Sequence, residues 1–566
     1  MCGHGRDVAW SGGPALRLMV LLPWAAGGEN VAPQMSKQLE RIGLVAGMTM
    51  VSRVLGLIRD VLTAAVFGTT ALASAFFTAF TLPNLFRRLL GEGALTAAFV
   101  PTLNEELARR QRAGAFELVS QVASWLLVVT AGLVAIGMVL LGGRWWEGPA
   151  AALGAAPETI ARWRLGAELA VWLFPYMVFV CLAAAFSAAL QTLERFLEPA
   201  LSPIWLNLAM ITALVGGLWG GWAADGATHI RLLCAGVLVG GFFQMAVPAA
   251  ALVREGWRPR LDLRRSAQVR AIVGLMAPTV VGSAVYLINM ALLRLVGLSL
   301  NDAAVSLLNL ATRLMELPIG VFAVAVSTVV FPLISRHAAQ ADWPAFAAAY
   351  RRGMRLILVV NVPAAAGLVL LAEPIIRLLF QRGAFHAQDT GAMVPVLAVF
   401  AAGLPVFSFV NLVLRAFYAR KDTRTPVRAA VLSFAVNIGL GLALMGPLST
   451  VGLALASNLA VVAQAWYLQV RLARSDRGLA FQHLWRDLLK ITGGVLVMAV
   501  VVAGGALGLE RVFPPSRARD IVLLATMIPL GVAAYGAMLW WLRIEGREEL
   551  PALAGRLLAR IGLRRT

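Results

Sequence analysis

Long apolar runs, separated by short polar segments rich in arginine, form the dominant pattern along this chain. Most runs reach about 20 residues, the length that an α-helix needs to cross a bilayer. Open sheets cannot satisfy their backbone groups in lipid, and the runs are too uniformly apolar for barrel strands. The pattern therefore predicts an all-α polytopic membrane protein with fourteen transmembrane helices, at residues 41–66, 71–90, 117–142, 166–190, 201–220, 230–252, 271–298, 303–333, 354–379, 391–417, 427–446, 450–470, 488–509 and 520–542.

Two weak internal similarities suggest that the first twelve spans form two halves. AFVPTL around Pro101 is similar to VVFPLI around Pro332, and ERFLEP at Pro199 to KDTRTP at Pro426, at nearly equal separations. Repeats of this kind place a substrate site between two pseudo-symmetric six-helix lobes. We predict an N-terminal extension at 1–34, an N-lobe at 35–252, a C-lobe at 271–470, helices 13 and 14 at 485–543, and a basic cytoplasmic tail at 544–566.

The extension contains a short apolar run, Leu18–Ala26, that is similar to a signal peptide. Cleavage there would place the new terminus outside, against the charge pattern of the loops. We therefore interpret residues 1–34 as lying outside the fold, either ahead of a natural start at Met35 or disordered.

Charge gives the predicted orientation. The net charge is +20, which in a soluble protein would suggest a nucleic-acid partner. Here the arginines lie between apolar spans and concentrate in every second loop, as cytoplasmic loops do. We therefore expect both termini in the cytoplasm and no nucleic-acid partner. The basic loops lie near residues 37–41, 109–112, 195, 254–270, 336–355, 420–428 and 471–486.

Signatures of catalysis and of metal binding are missing from the sequence. The three cysteines and five histidines are scattered without ligand spacing. There is no glycine-rich phosphate loop, no convincing nucleophile constellation, and no soluble stretch long enough for a nucleotide-binding domain. We predict that the chain is not an enzyme and has no metal site or cofactor.

The candidate chemistry consists of charges placed inside apolar spans. Charge at bilayer depth is costly and usually marks a substrate path. Arginine remains protonated and matches phosphate oxygens with two parallel hydrogen bonds, so an excess of arginine over acids predicts a diphosphate ligand. The alternative is purely structural pairing of Arg53 with Asp60, of Arg313 with Glu316, and of Arg87 or Arg88 with Glu92.

Several motifs resemble those of the MurJ/MviN family of lipid II flippases, within the multidrug/oligosaccharidyl-lipid/polysaccharide exporter superfamily. They are SRVLGLIRD (52–60), AFF..F.LPNLFRRLLGEGALTAAFVP (75–101), FPY (174–176), RLMELPIGVF (313–322), LFQRGAF (379–385) and FYARKDTRTP (417–426). The resemblance implies two six-helix lobes plus two C-terminal helices around a central cationic cavity. It also implies transfer of an undecaprenyl-diphosphate-linked peptidoglycan precursor to the outer leaflet of the bacterial inner membrane, by alternating access. Membrane lipids and other cell-wall synthesis proteins are the further partners that it suggests.

The resemblance also assigns candidate site residues. It implies that Arg53, Arg59, Arg87 and Arg313 bind the diphosphate or the head group, supported by Ser52, Asp60, Asn84, Arg88, Glu92 and Glu316. The chain has Ser74, Thr81 and Thr312 where the family often has an acid, a lysine and an aspartate. Two alternatives stay open at this point: export of another lipid-linked oligosaccharide or a drug, and a transport-silent membrane scaffold.

Overall fold

The computed structural model describes residues 32–87, 95–320 and 324–544, and in these ranges it is almost entirely helical, with no strand. The helices are α1 (Ala32–Phe67), α2 (Ala71–Phe86), α3 (Leu95–Gly142), α4 (Glu147–Ala152), α5 (Pro157–Leu173), α6 (Tyr176–Thr192), α7 (Leu197–Trp219), α8 (Gly226–Arg254), α9 (Ala267–Leu300), α10 (Ala304–Pro318), α11 (Val324–Ala339), α12 (Trp343–Leu370), α13 (Ala372–Phe380), α14 (Ala387–Ala419), α15 (Arg424–Ser475), α16 (Trp485–Val512) and α17 (Arg517–Trp541).

The predicted all-α membrane fold is confirmed, and the described parts of the fourteen predicted spans are mainly helix, with breaks inside the spans at Phe174 and Pro175 and at Leu371. Eight of the described helices are long and apolar enough to cross a bilayer alone. The fourth predicted span is a bent pair, because α5 and α6 meet at 44° at Phe174 and Pro175. The first residues of the predicted extension, 1–31, and the tail beyond residue 544 lie outside the described ranges.

Two of the helices contain a sharp break. Gln111 in α3 and Ser449 in α15 have positive φ, 55° and 51°, a conformation that interrupts a right-handed helix. The break at Ser449 separates the eleventh predicted span from the twelfth. The amide of Asn301 donates to the Ser449 hydroxyl at 3.2 Å and so ties the break to the end of α9.

The helices α1–α8 pack mainly with one another, and α9–α15 do the same. In the first half, buried side chains around Tyr176 and Cys234 form one core, and those around Phe186 and Trp257 form another. In the second half, Phe346 belongs to a core that extends into α16 and α17. The division into lobes at 35–252 and 271–470 stays a prediction.

The mixed aromatic and basic composition of residues 340–352 predicts a helix on the membrane surface or, alternatively, a solvated connector. The segment is helical from Trp343 onwards, and its place at the membrane surface stays a prediction. Residues 343–352 form the first turns of α12, with Phe346 and Tyr350 buried. These two residues are four apart and share one helix face, which packs into the core.

Two arginine–carboxylate pairs fix α16 and α17 to the second half. Arg355 of α12 contacts Asp487 in the first turn of α16 at 2.6 Å. Arg377 of α13 contacts Asp520 in the first turn of α17 at 2.9 Å, and the Asp520 side chain is only 1% exposed. Because Asp520 is buried, Arg377 supplies the opposite charge that a carboxylate out of water needs.

We expect Arg377→Ala to lower the stability of the protein by about 3 kcal/mol, because it leaves the Asp520 carboxylate buried without its cation. Thermal unfolding in detergent measures the effect. The matched control is Arg511→Ala, an exposed arginine in α16 with no hydrogen bond or ion pair to a described residue. An equal melting temperature for the two variants would contradict a stabilising role for the Arg377–Asp520 pair.

A cationic cavity between the two halves

At one end of the bundle, the C-terminus of α1 and the helices α2 and α5 contact the C-terminus of α9, α10 and the turn after α13, and we call this set of contacts the clasp. Ser74 of α2 accepts from the backbone N–H of Ser306 at 3.2 Å, and its hydroxyl lies 3.0 Å from that of Ser306. Arg162 of α5 donates to the carbonyls of Leu298 and Ser299 at the C-terminus of α9, at 2.9 and 3.0 Å. Cations are favoured at a helix C-terminus, so Arg162 caps α9 from the opposite half.

Two glycines allow the turns of the clasp to touch. Gly68 and Gly383 have φ of 57° and 58°, in the left-handed region. A Cβ on Gly68 would lie 2.4 Å from the carbonyl oxygen of Ala384, and one on Gly383 would lie 2.2 Å from that of Ala65. The Ala384 N–H donates to the same Ala65 carbonyl at 2.8 Å. Both the φ angle and the close backbone approach therefore require glycine at these positions.

A cavity of about 580 Å³ lies between the halves. Its walls come from α1, α2, α3, α6, α7, α8, α9 and α10, so both halves contribute. Four arginines and two carboxylates line it, with an excess of two positive charges among the described residues: Arg59, Arg87, Arg294, Arg313, Asp60 and Glu316. Phe76, Phe80 and Tyr176 give the α1–α8 side an aromatic wall.

Asp60 is the centre of the charged network. Arg59 donates to Asp60 Oδ1 from Nε and Nη2, at 3.0 and 2.7 Å, and to Asn207 Oδ1 from Nη1 at 3.0 Å. Arg313, from the opposite half, approaches Asp60 Oδ2 at 3.3 Å. One carboxylate thus holds two guanidinium groups from two halves close together.

Arg313 also contacts Glu316 at 3.2 Å, which is the pairing that their spacing suggests. The suggested pairing of Arg53 with Asp60 was wrong. Arg53 lies two helical turns from Asp60, and the acid is occupied by Arg59 and Arg313.

Arg87 and Asn84 lie on the cavity wall at the end of α2, where Arg87 Nε donates to Asn84 Oδ1 at 3.3 Å. Arg88 and Glu92, the other predicted residues of this region, lie outside the described residues.

Arg53 and Ser52 do not line the cavity. Arg53 is exposed and makes no hydrogen bond or ion pair with any residue that the structure describes. It lies about 9 Å along α1 from Arg59, away from the clasp. A Cβ built on Gly320 would be 2.1 Å from its Nη1, so the guanidinium packs on the backbone of the other half. Ser52 contributes a carbonyl that accepts from Asn207 Nδ2 at 3.2 Å.

Arg294 is a cavity cation that the motifs did not assign. Its guanidinium donates to Asn309 Oδ1 at 3.0 Å and to the Val305 carbonyl at 3.3 Å, which joins α9 to α10. A charged residue in the middle of the seventh predicted span was the available signal, but the face of α9 that meets the cavity is set by packing.

No cluster of three metal-ligating side chains occurs among the described residues. The expectation of no metal and no cofactor stays a prediction.

A helical membrane bundle with two interacting halves and a cationic central cavity defines this chain as a transporter of the exporter-superfamily fold. A solved structure titled "Inward-facing conformation of a multidrug resistance MATE family transporter of the MOP superfamily" shares this fold with a TM-score of 0.61, at 13% identity, over 76% of this chain and 98% of that one. The family model described as "Lipid II flippase MurJ" matches residues 63–516, and the chain belongs to that family.

Two relatives show how far the similarity extends. A protein of Rhizobium tropici described as "Probable lipid II flippase MurJ" is 34% identical over 501 residues, covering 87% of this chain and 91% of that protein. A solved structure titled "Lipid II flippase MurJ, inward closed conformation" superimposes with a TM-score of 0.70 at 25% identity, covering 88% of this chain and 97% of the other. The family suggested by the sequence motifs is therefore confirmed.

Proposed function

We propose that this protein moves lipid II, the undecaprenyl-diphosphate-linked peptidoglycan precursor, from the inner to the outer leaflet of the bacterial cytoplasmic membrane, in support of cell-wall synthesis. The observation that carries the proposal is the cavity, which has an excess of two positive charges and walls from both halves of the bundle. Family membership supports the same substrate class.

The substrate's diphosphate is the group that the arginines recognise. Arg59 and Arg313 converge on Asp60, and Arg87 lies on the same cavity wall, so a diphosphate entering here meets several fixed hydrogen-bond donors. Bidentate arginine–phosphate contacts are among the stronger hydrogen bonds in proteins. The apolar faces of the sugars pack on Phe76, Phe80 and Tyr176. The polyprenyl tail stays in lipid, so the polar head crosses without entering hydrocarbon.

Alternating access follows from the position of the clasp. With both termini in the cytoplasm, the clasp faces the outside and the cavity is reached from the cytoplasmic side. Release of the head group requires the clasp contacts of Ser74, Arg162 and Gly383 to separate while the two halves rock about the bound head. Arg53, which packs on Gly320 away from the clasp, binds the head group on the cytoplasmic side of Arg59.

The driving force that we propose is the membrane potential acting on the cavity's charge. Each elementary charge that crosses 100 mV involves about 2.3 kcal/mol. Coupling to a cation usually uses a carboxylate near mid-membrane, whereas α9 offers Asn289, whose side-chain oxygen accepts from Asn437 at 3.1 Å.

The runner-up functions fit the cavity less well. Export of a cationic drug requires acids that attract it, and this cavity has more arginine than acid. Export of another lipid-linked oligosaccharide would use the same diphosphate contacts. A transport-silent scaffold needs neither a cavity nor unbalanced charge. No catalytic step is part of the proposal, and other cell-wall synthesis proteins remain candidate partners.

The deciding experiment measures the leaflet in which labelled lipid II is accessible, in cells depleted of their own flippase and carrying this chain. Lipid II should become accessible from outside, as in undepleted cells. Accessibility that stays at the depleted level while the protein is present in the membrane would overturn the proposal.

A further inference from the structure

A second cavity lies on the outer flank of α1–α8, and no part of the transport proposal uses it. It has a volume of about 410 Å³ and is enclosed by α2, α3, α5 and α8. We call it the lateral pocket. Its α5 wall carries Arg164, next to the clasp residues Arg162 and Trp163, so the pocket lies at the clasp end of the bundle.

The polar side of the lateral pocket is preformed. Arg164 donates to both carboxylate oxygens of Glu147, at 2.9 and 2.6 Å, and Arg144 donates to the same Glu147 at 2.9 Å. These hydrogen bonds, with Arg164 first, lower the pKa of Glu147 to about 2, so the carboxylate is ionised across the physiological range. Trp146 packs against Trp163 with ring centroids 6.4 Å apart, which fixes another part of the wall.

Arg231 of α8 lines the pocket and makes no hydrogen bond or ion pair with any residue that the structure describes. Hydrogen bonds from Thr228 and, to a smaller extent, the charge of Arg231 lower the pKa of Asp225, which caps α8 by accepting from the Thr228 N–H at 2.7 Å. Among the described lining residues the pocket has more arginine than carboxylate: Arg144, Arg164, Arg231 and Glu168. Glu147 lies outside the lining and pairs with Arg144 and Arg164.

The other side of the lateral pocket is apolar and faces the membrane. Trp172 lines it with half of its surface exposed, beside Leu141 and Val171. Tryptophan is favoured where hydrocarbon meets the headgroup layer. A ligand that matches both sides has one negative charge and an apolar body.

We propose that the lateral pocket binds one anionic phospholipid of the leaflet at the clasp end, with its phosphate on Arg231 and an acyl chain along Trp172. Arg231 suits this role because an arginine fork pairs with two phosphate oxygens, whereas Nε and Nη2 of Arg164 already donate to Glu147. The proposal does not depend on the identity of the transported substrate.

The test uses the full chain in phosphatidylcholine vesicles that contain a trace of a phospholipid with a photoreactive diazirine on its acyl chain. The probe carries either a phosphatidylglycerol or a phosphatidylcholine head, and mass spectrometry locates the adducts. We expect the glycerol probe to label peptides within residues 141–172 at least about fivefold more than the choline probe. Equal labelling by the two probes would overturn the proposal, and this comparison needs no variant.

Variants of Arg231 test whether this arginine holds the lipid phosphate. Arg231→Gln should reduce labelling by the glycerol probe to the choline level, while Arg231→Lys should retain most of it. The matched control is Arg254→Gln, at the other end of the same helix, exposed and also without a partner among the described residues. Labelling that Arg231→Gln leaves unchanged would reject the site.

Discussion

Arg59→Ala should reduce outward movement of lipid II to the level of flippase-depleted cells. Arg59 is 9% exposed and contributes three hydrogen bonds to the network around Asp60 and Asn207. Its loss removes a buried cation from the cavity and leaves Arg313 alone on Asp60. A charge-assisted contact contributes about 1.5–3 kcal/mol, so losing one such contact with the diphosphate weakens binding by roughly ten- to hundredfold.

Arg53→Ala and Arg313→Ala should fail to restore growth to cells depleted of their own flippase. Arg313→Glu distinguishes a diphosphate carrier from a transport-silent scaffold. A scaffold that folds would tolerate the reversed charge, whereas a diphosphate carrier would not. Arg254→Ala provides the control, since this arginine lies outside the cavity and has no partner among the described residues. Full rescue of growth by Arg53→Ala, Arg59→Ala and Arg313→Ala would remove the substrate role from these arginines.

Gly383→Ala should open the clasp and expose the cavity to the side that is closed in this structure. The new Cβ would lie 2.2 Å from the Ala65 carbonyl oxygen, and Gly383 has φ of 58°. The left-handed conformation alone costs a residue with a Cβ about 1–2 kcal/mol. The overlap with backbone adds to this cost, and separation of the two turns relieves it. We expect the equilibrium between closed and open clasp to shift by about tenfold or more.

A single cysteine reports on this change. Ala184 lines the cavity, so Ala184→Cys in a background without the three native cysteines can be labelled with a membrane-impermeant maleimide. Labelling from the clasp side should rise in Gly383→Ala, and transport should fall because the cavity no longer closes on that side. Gly391→Ala is the control, since Gly391 lies nearby in α14 with nothing within 4 Å of an added Cβ. Equal labelling of the two glycine variants would show that Gly383 does not hold the clasp shut.

Helix placement was largely predictable because hydrophobic length is a local property of the chain. The described parts of the predicted spans are mainly helix, and the bend at Phe174 and Pro175 coincides with the FPY motif. The composition of residues 340–352 predicts an amphipathic helix or a solvated connector, and it does not show which side chains are buried. Only a neighbouring helix decides which are buried, as it does for Phe346 and Tyr350.

The sequence predicted a site for an anion, but it did not predict which charged residues of the site contact one another. Arginines within apolar spans indicated an anion site, and Arg59, Arg87 and Arg313 do line one cavity. Periodicity along one helix gives the direction of a side chain around that helix, but not the helix that faces it. The sequence therefore suggested Arg53 as the partner of Asp60, whereas Arg59 and Arg313 occupy that carboxylate.

Taken alone, the sequence determined that this is a helical membrane protein with an excess of guanidinium groups inside its spans, since both properties follow from the order of residues. The tertiary structure decided which charges meet: Asp60 between arginines of two halves, Arg294 on the cavity wall, and Gly68 and Gly383 in contact at the clasp. Contacts between residues hundreds of positions apart depend on how helices pack, and no local pattern encodes that arrangement.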